Sequence, residues 1–161
     1  MSKRNYGKDF EKKFKEDFMM TFPGEFVLRL KDNTSKYKSA SRNPCDFICH
    51  ADGKLYMVET KCHYGNTFPF SELRQFYELN ECWGGLKDVR RCVIIWFIDH
   101  SKVICAPISA IARMKDDGLV SININKLDEY NLKEYNILEL ESAKKRVFLD
   151  TDYSRIAEVS D

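Results

Sequence analysis

Apolar positions in this chain change period several times, and each change marks an element. Phe10, Phe14 and Phe18 recur every four residues, which predicts an amphipathic helix over residues 7 to about 20 with an aromatic stripe for a sheet to cover. Pro23-Gly24 stops it. "EFVLRL" at 25–30 then alternates, with Phe26, Val27 and Leu28 near its middle, and predicts an edge-side strand. A polar stretch of about fourteen residues follows, carrying Lys31, Lys36, Lys38 and Arg42 against one acid, Asp32. A loop of that length and charge suits a phosphate backbone, or is an ordinary surface loop.

Residues 44–61, "PCDFICHADGKLYMVETK", predict two strands joined by the tight turn Ala51-Asp52-Gly53-Lys54, because Asp-Gly between alternating apolar runs is a strong hairpin signal. After Gly65-Asn66, Ser71 is the expected N-cap of a helix running to about Cys82, with Leu73, Phe76 and Tyr77 toward the sheet and Gly84-Gly85 closing it. "CVIIWFI" at 92–98 is short, β-branched and uninterrupted, the pattern of a strand buried on both faces. "KVICAP" adds another strand, and 108–118 a short helix with Ile108, Ile111 and Met114 on one face. "LVSININKL" at 119–127 reads as a short extended piece, the polar stretch after it as partly helical, and Val147-Phe148-Leu149 as a packed part of the terminal segment. Helix, three strands, helix and two strands make an α/β fold, a mixed sheet flanked by helices.

The chain has 161 residues, enough for one core, so a single domain over 1–161 is expected. It is 43% hydrophobic and 13% aromatic, which excludes a disordered chain. Nothing reads as a membrane span or a signal peptide, so a soluble, cytoplasmic protein without a membrane partner is expected. Six cysteines without Cys-x-x-Cys then read as free thiols, and Cys45 and Cys49, about 13 Å apart on a strand, cannot share a zinc ion. The net charge of +1, from 26 basic and 25 acidic residues, does not by itself indicate nucleic acid. Lys144-Lys145-Arg146 is the only run of three basic residues, a solvated face by default and a DNA-facing patch otherwise. Three histidines in loops or strand ends, His50, His63 and His100, supply no oriented catalytic base.

The hairpin carries the candidate chemistry. Alternation puts Leu55, Met57, Glu59 and Lys61 on one face of its second strand and Asp46, Ile48 and His50 on one face of the first. Asp46 is therefore expected close to Glu59 and Lys61. Carboxylates beside a backbone carbonyl make a hard oxygen site for Mg²⁺ or Mn²⁺, and a lysine on the same face can position a water. The same spacing also fits a surface hairpin with an ordinary ion-pair cluster, and Glu11 fits a solvated helix glutamate paired with Lys15.

"PCDF…YMVETK" resembles the Pro-Asp…Glu-x-Lys core of the PD-(D/E)xK nuclease superfamily, with Cys45 interposed between the proline and the aspartate. "NYGKDFEKKF" at 5–14, "TFPFSELRQ" at 67–75 and "LVSININKL" at 119–127 are similar, in that order, to segments of the RecU-type Holliday-junction resolvases of phages and bacteria. The resemblance covers roughly residues 5–130. It implies a restriction-endonuclease-like fold and a Mg²⁺-dependent endonuclease, with Mn²⁺ as a substitute, that resolves four-way DNA junctions in recombination, repair or phage genome processing. It implies that Asp46, Glu59 and the Thr60 carbonyl hold the metal, and that Glu11 is a third carboxylate for a second ion or its water. Lys61 then positions the attacking water and Gln75 supports the arrangement. Thr67, Lys8, Lys3 and Arg4 become candidate phosphate or water contacts. Branched duplex DNA and a second copy of the chain, as a homodimer, are the implied partners, and the location is the cytoplasm, of the host if phage-encoded. A restriction- or repair-type duplex nuclease, or a catalytically silent junction-binding protein, keeps the same scaffold.

Overall fold

The computed structural model describes residues 5–31, 43–133 and 135–161; Lys3, Arg4, Asp32, Lys36, Lys38 and Arg42 lie outside them. Helix α1 (Tyr6–Thr21) starts at Asn5, whose side chain accepts a hydrogen bond from the Lys8 amide at 3.3 Å. Its Phe10, Phe14 and Phe18 are buried, as their spacing predicts. The chain continues through β1 (Val27–Arg29), β2 (Phe47–Ala51), β3 (Lys54–His63), β4 (Thr67–Pro69), α2 (Phe76–Glu81), β5 (Val89–Phe97) and β6 (Lys102–Pro107). Helix α3 (Ile108–Asp116), β7 (Ser121–Asn123), α4 (Leu127–Leu132), β8 (Leu138–Leu140), β9 (Ser142–Lys144) and β10 (Leu149–Thr151) complete it.

Six strands form one sheet in the order β1-β2-β3-β5-β6-β8. Only β3 and β5 run parallel, so the sheet is mixed and the segment between them crosses over through β4 and α2. Each face carries a separate core. Phe47, Cys49, Tyr56, Val58, Ile94 and Trp96 pack against α1 and the C-terminal Tyr153, Ile156 and Val159. Met57, Val93, Ile95 and Ile104 pack against α2 and α3 on the other face. β5 is buried from Arg91 to Phe97, as its unbroken apolar run predicts. This is a mixed α/β architecture with a multi-strand sheet flanked by helices. No helix among the described residues is long and apolar enough to cross a membrane.

Three expectations need correcting. Ser71 caps no helix: it lies exposed in a 3-10 turn, Phe70–Glu72, and α2 opens only at Phe76 with Gln75 at the N-cap. A helix of six residues buries two side chains three apart, Phe76 and Leu79, so Tyr77 turns outward and is 67% exposed. The stretch after 127 is partly helical, as expected, in α4, and β8 adds a strand to the main sheet beside β6. The terminal segment forms the β9–β10 hairpin, in which Leu149 is buried but Val147 is exposed.

Two polar ties hold the C-terminal part in place. Asp17 is buried in α1, accepts from Lys13 Nζ at 2.7 Å and from the Thr151 amide at 3.0 Å, and Lys13 also reaches Asp150 at 2.6 Å. The second tie is Arg91. Its Nε donates to Asp161 Oδ2 at 2.6 Å, its Nη2 to Oδ1 at 3.2 Å, and its Nη1 to the carbonyls of Leu79, Asn80 and Cys82 at the end of α2. Asp161 also accepts the Ser109 amide of α3 at 3.1 Å. The Arg91–Asp161 pair thus joins the two helices of one face to the chain's C-terminal segment, the guanidinium holding α2 and the carboxylate α3.

Candidate active site

The hairpin forms where its turn chemistry places it. Asp52 and Gly53 both have positive φ, 51° and 71°, which matches the twist of a two-residue hairpin turn. The register pairs Ala51 with Lys54, Cys49 with Tyr56 and Phe47 with Val58. One step further the alternation breaks. Cys45 packs with the core on the α2 side, whereas Phe47, two residues on, packs with the core on the α1 side. A regular strand would put both on one face. The chain bends at Asp46, whose amide donates to Val58 O at 3.0 Å while its carbonyl accepts from Leu30 at 2.8 Å.

Asp46 therefore does not continue the Ile48–His50 row. Its Oδ2 accepts the Thr60 amide and the Thr60 hydroxyl, each at 2.8 Å. Within a strand the N–H and C=O of one residue leave toward the same edge, so the Thr60 carbonyl is directed to the side of β3 on which Asp46 sits. Glu59 and Lys61, on the other face of β3, are the second pair, with Lys61 Nζ 2.6 Å from Glu59 Oε1. Asp46–Thr60 and Glu59–Lys61 are thus two separate bonded pairs, anchored at consecutive residues of β3.

Glu59 is 1% exposed, and its Oε2 has no hydrogen-bond partner among the described residues. Burial, then the Asp46 carboxylate, push its pKa up to about 7; the Lys61 ammonium opposes that shift and Glu11 adds a little to it. Gln75 approaches from the N-cap of α2. Its Oε1 is also buried without a partner among the described residues, and it lines, with Glu59, Leu73 and Phe76, one narrow crevice under α2. Two acceptors without a partner among the described residues thus belong to residues lining one crevice too tight for a water, an arrangement that a proton on Glu59 would relieve.

Glu11 is not drawn into this group. It lies on α1, across the sheet from the Glu59 face, and is held by Arg29 of β1 through Nε at 2.8 Å and through Nη2. Pairing with Lys15 is therefore replaced by a cross-element pair, which an outward arginine on an edge strand was the only sequence signal for. Among the described residues no three His, Cys, Asp or Glu side chains group closely enough to hold one metal ion. What the chain offers is a carboxylate pair, an adjoining carbonyl and one outlying carboxylate. All of these donors are hard oxygens, the type that suits Mg²⁺ or Mn²⁺.

The remaining candidates lie apart. Thr67 is exposed at the start of β4, paired with Asn123 of β7, so the segments around 68 and 122 form one small antiparallel ribbon. His50 pairs with Glu25 at 2.6 Å, His63 with Glu72 at 3.5 Å, and His100 with Asn66 at 2.9 Å. Cys45 is buried and donates to the Phe47 carbonyl at 3.3 Å; burial, chiefly, pushes its thiol up to about 12. Lys144, Lys145 and Arg146 are exposed at the β9–β10 hairpin, where Lys145 meets Asp150 at 3.2 Å. Neither a scan against protein-family models nor a search of curated proteins gives a match for this chain.

Proposed function

We propose that this chain is a Mg²⁺-dependent, structure-selective DNA endonuclease that resolves four-way junctions, built on a restriction-endonuclease-like form of the mixed sheet. The observation that carries this reading is Glu59: a buried carboxylate with one oxygen on Lys61 and the other unpartnered among the described residues, its charge opposed by Asp46. A carboxylate is expensive to bury in that state unless an ion or a reaction uses it.

Asp46, Glu59 and the Thr60 carbonyl would hold Mg²⁺, or Mn²⁺ in its place. A bound ion would supply Lewis-acid charge to the phosphodiester oxygens. The chain's own groups do the rest. Thr60 fixes the Asp46 carboxylate with two hydrogen bonds, and Gln75 confines Glu59 from the crevice under α2. Lys61, about a quarter exposed, orients a water for attack and stabilises charge developing at the phosphate. Glu11 serves a second ion or its water once Arg29 releases it. A junction needs two symmetric cuts and this chain carries one such site, so the working form is a homodimer. Sedimentation equilibrium with and without junction DNA tests that; a monomer binding one copy per junction would leave a single-nick nuclease. Acting on DNA, the protein works in the cytoplasm, of the host if phage-encoded.

The closed Glu11–Arg29 and Glu59–Lys61 pairs favour, as a second reading, a silent junction-binding protein on the same scaffold. Cleavage of matched four-way, forked and linear DNAs in Mg²⁺ separates the possibilities. Preference for the four-way substrate, lost in Asp46→Asn and Glu59→Gln, is expected. Equal cutting of linear duplex indicates a restriction- or repair-type nuclease, and binding without metal-dependent cleavage indicates the silent protein.

A further inference from the structure

Helix α1 segregates its charges by sector. At 100° per residue, Lys8, Lys12 and Lys15 fall within about 60° of one another, while the Phe10–Phe14–Phe18 stripe lies on the buried side. All three lysines are exposed. They line, with Glu11, Arg29 and Phe47, a groove of about 340 Å³ between the helix and the β1–β2 edge of the sheet. The single acid in that lining is already engaged by Arg29, so the lysines' charge is not cancelled inside the groove. Lys8 and Lys15 have no ion pair among the described residues, and Lys12 has only a 3.8 Å pairing with Glu16, outside the lining. Three like charges on one helical face repel one another, and an anion laid along them offsets that cost.

The length of the row identifies the anion. Lys8 to Lys15 spans about 10 Å of helix, and a strand of duplex DNA advances about 3.4 Å along the duplex axis per phosphate and further along its own backbone, so the row reaches about two to three neighbouring phosphates. The groove's floor, Phe47, immediately follows Asp46 in the chain. We infer that the α1 groove is a phosphate-backbone track for duplex nucleic acid, carrying the strand that flanks the carboxylate site. This rests on the nucleic-acid part of the proposed function and adds where the duplex is held. It also explains how a chain of net charge +1 can bind a polyanion, since the charge is sorted by face and the sum conceals it.

The test is fluorescence anisotropy of a short linear duplex in EDTA, with salt varied between about 50 and 200 mM. Each phosphate neutralised contributes about −0.9 to the slope of log K against log salt, so Lys8→Gln/Lys12→Gln/Lys15→Gln should flatten the slope by about 2 to 3. The corresponding arginine triple variant should restore it. Lys144→Gln/Lys145→Gln/Arg146→Gln, on the β9–β10 hairpin, should leave it nearly unchanged. Wild-type binding with an unaltered slope in the α1 variant, or an equal loss in the hairpin variant, overturns the track and leaves the endonuclease reading intact. The expected slopes in a protein that never cleaves DNA support the track and remove the endonuclease. A wild-type protein that binds phosphatidylserine vesicles but not duplex overturns both.

Discussion

The Lys61 ammonium reaches back two residues along its own strand to one oxygen of Glu59, 2.6 Å away, and the other oxygen of that carboxylate is buried with no partner among the described residues. The contact does not restore an ordinary acidity, because burial and Asp46 together outweigh it. Folded Glu59 holds its proton up to about pH 7, against an ordinary value of 4.5. Between those values the folded state binds a proton that the unfolded state releases. Its contribution to stability is therefore full below the ordinary value and is lost as pH rises through about 7. In metal-free urea titrations, the stability of the wild type relative to Glu59→Gln should fall by up to about 3 kcal/mol from acid to mildly alkaline pH. A difference that stays flat across that range would show that Glu59 ionises as freely as an exposed glutamate.

Lys61→Ala should slow single-turnover cleavage at saturating protein by a factor of roughly 10² or more, the scale of a positioned electrostatic or proton-transfer group. Duplex binding should change little. An unchanged rate with weakened binding would make Lys61 a phosphate contact.

Arg29 restrains Glu11. If Glu11 serves an ion only after that pair opens, Arg29→Gln should lower the Mg²⁺ concentration that half-saturates cleavage, and Glu11→Gln should raise it. A metal titration that is the same in both variants would remove Glu11 from the metal site and leave it a partner of Arg29 alone.

Asp161→Ala strips the buried Arg91 of its carboxylate. Breaking one side of a buried pair costs roughly 3–5 kcal/mol, because the remaining charge is left uncompensated. The loss should appear in the urea midpoint. Arg91→Leu/Asp161→Ala should recover part of it, since the double variant buries no orphaned charge. A loss in Asp161→Ala below about 1 kcal/mol would mean that water reaches the guanidinium.

The parts of the fold that the chain announces are those governed by period and turn chemistry. The aromatic stripe of α1, the Asp-Gly hairpin, the β5 run and the Ile108–Ile111–Met114 face all lie where spacing puts them. What escapes is decided by partners distant in sequence. Residues 138–140 are too short a run to signal a strand, and only the open edge of β6 makes them one. Lys13 and Asp17 look like an ordinary i,i+4 surface pair until Thr151 and Asp150 close over them. At the candidate site, the Glu59–Lys61 pairing follows from alternation within one strand and is legible. The Asp46–Thr60 pairing depends on a bend that breaks the alternation at Asp46, and periodicity cannot foresee its own interruption.

That bend sets which changes of chain length the hairpin can absorb. Because the side-chain period of a strand is two, losing one residue between Asp46 and Glu59 would turn the following carboxylate to the opposite layer while the strands still paired. Point substitutions along Phe47–Val58 trade packing for packing and leave Asp46 and Glu59 where they are. A one-residue deletion there would also exchange the buried side chains of β2 or β3 between the two cores, so packing and the placement of the carboxylates would be lost together. In a lineage of such chains, gaps would be expected to accumulate outside the β2–β3 hairpin, even where its sequence drifts.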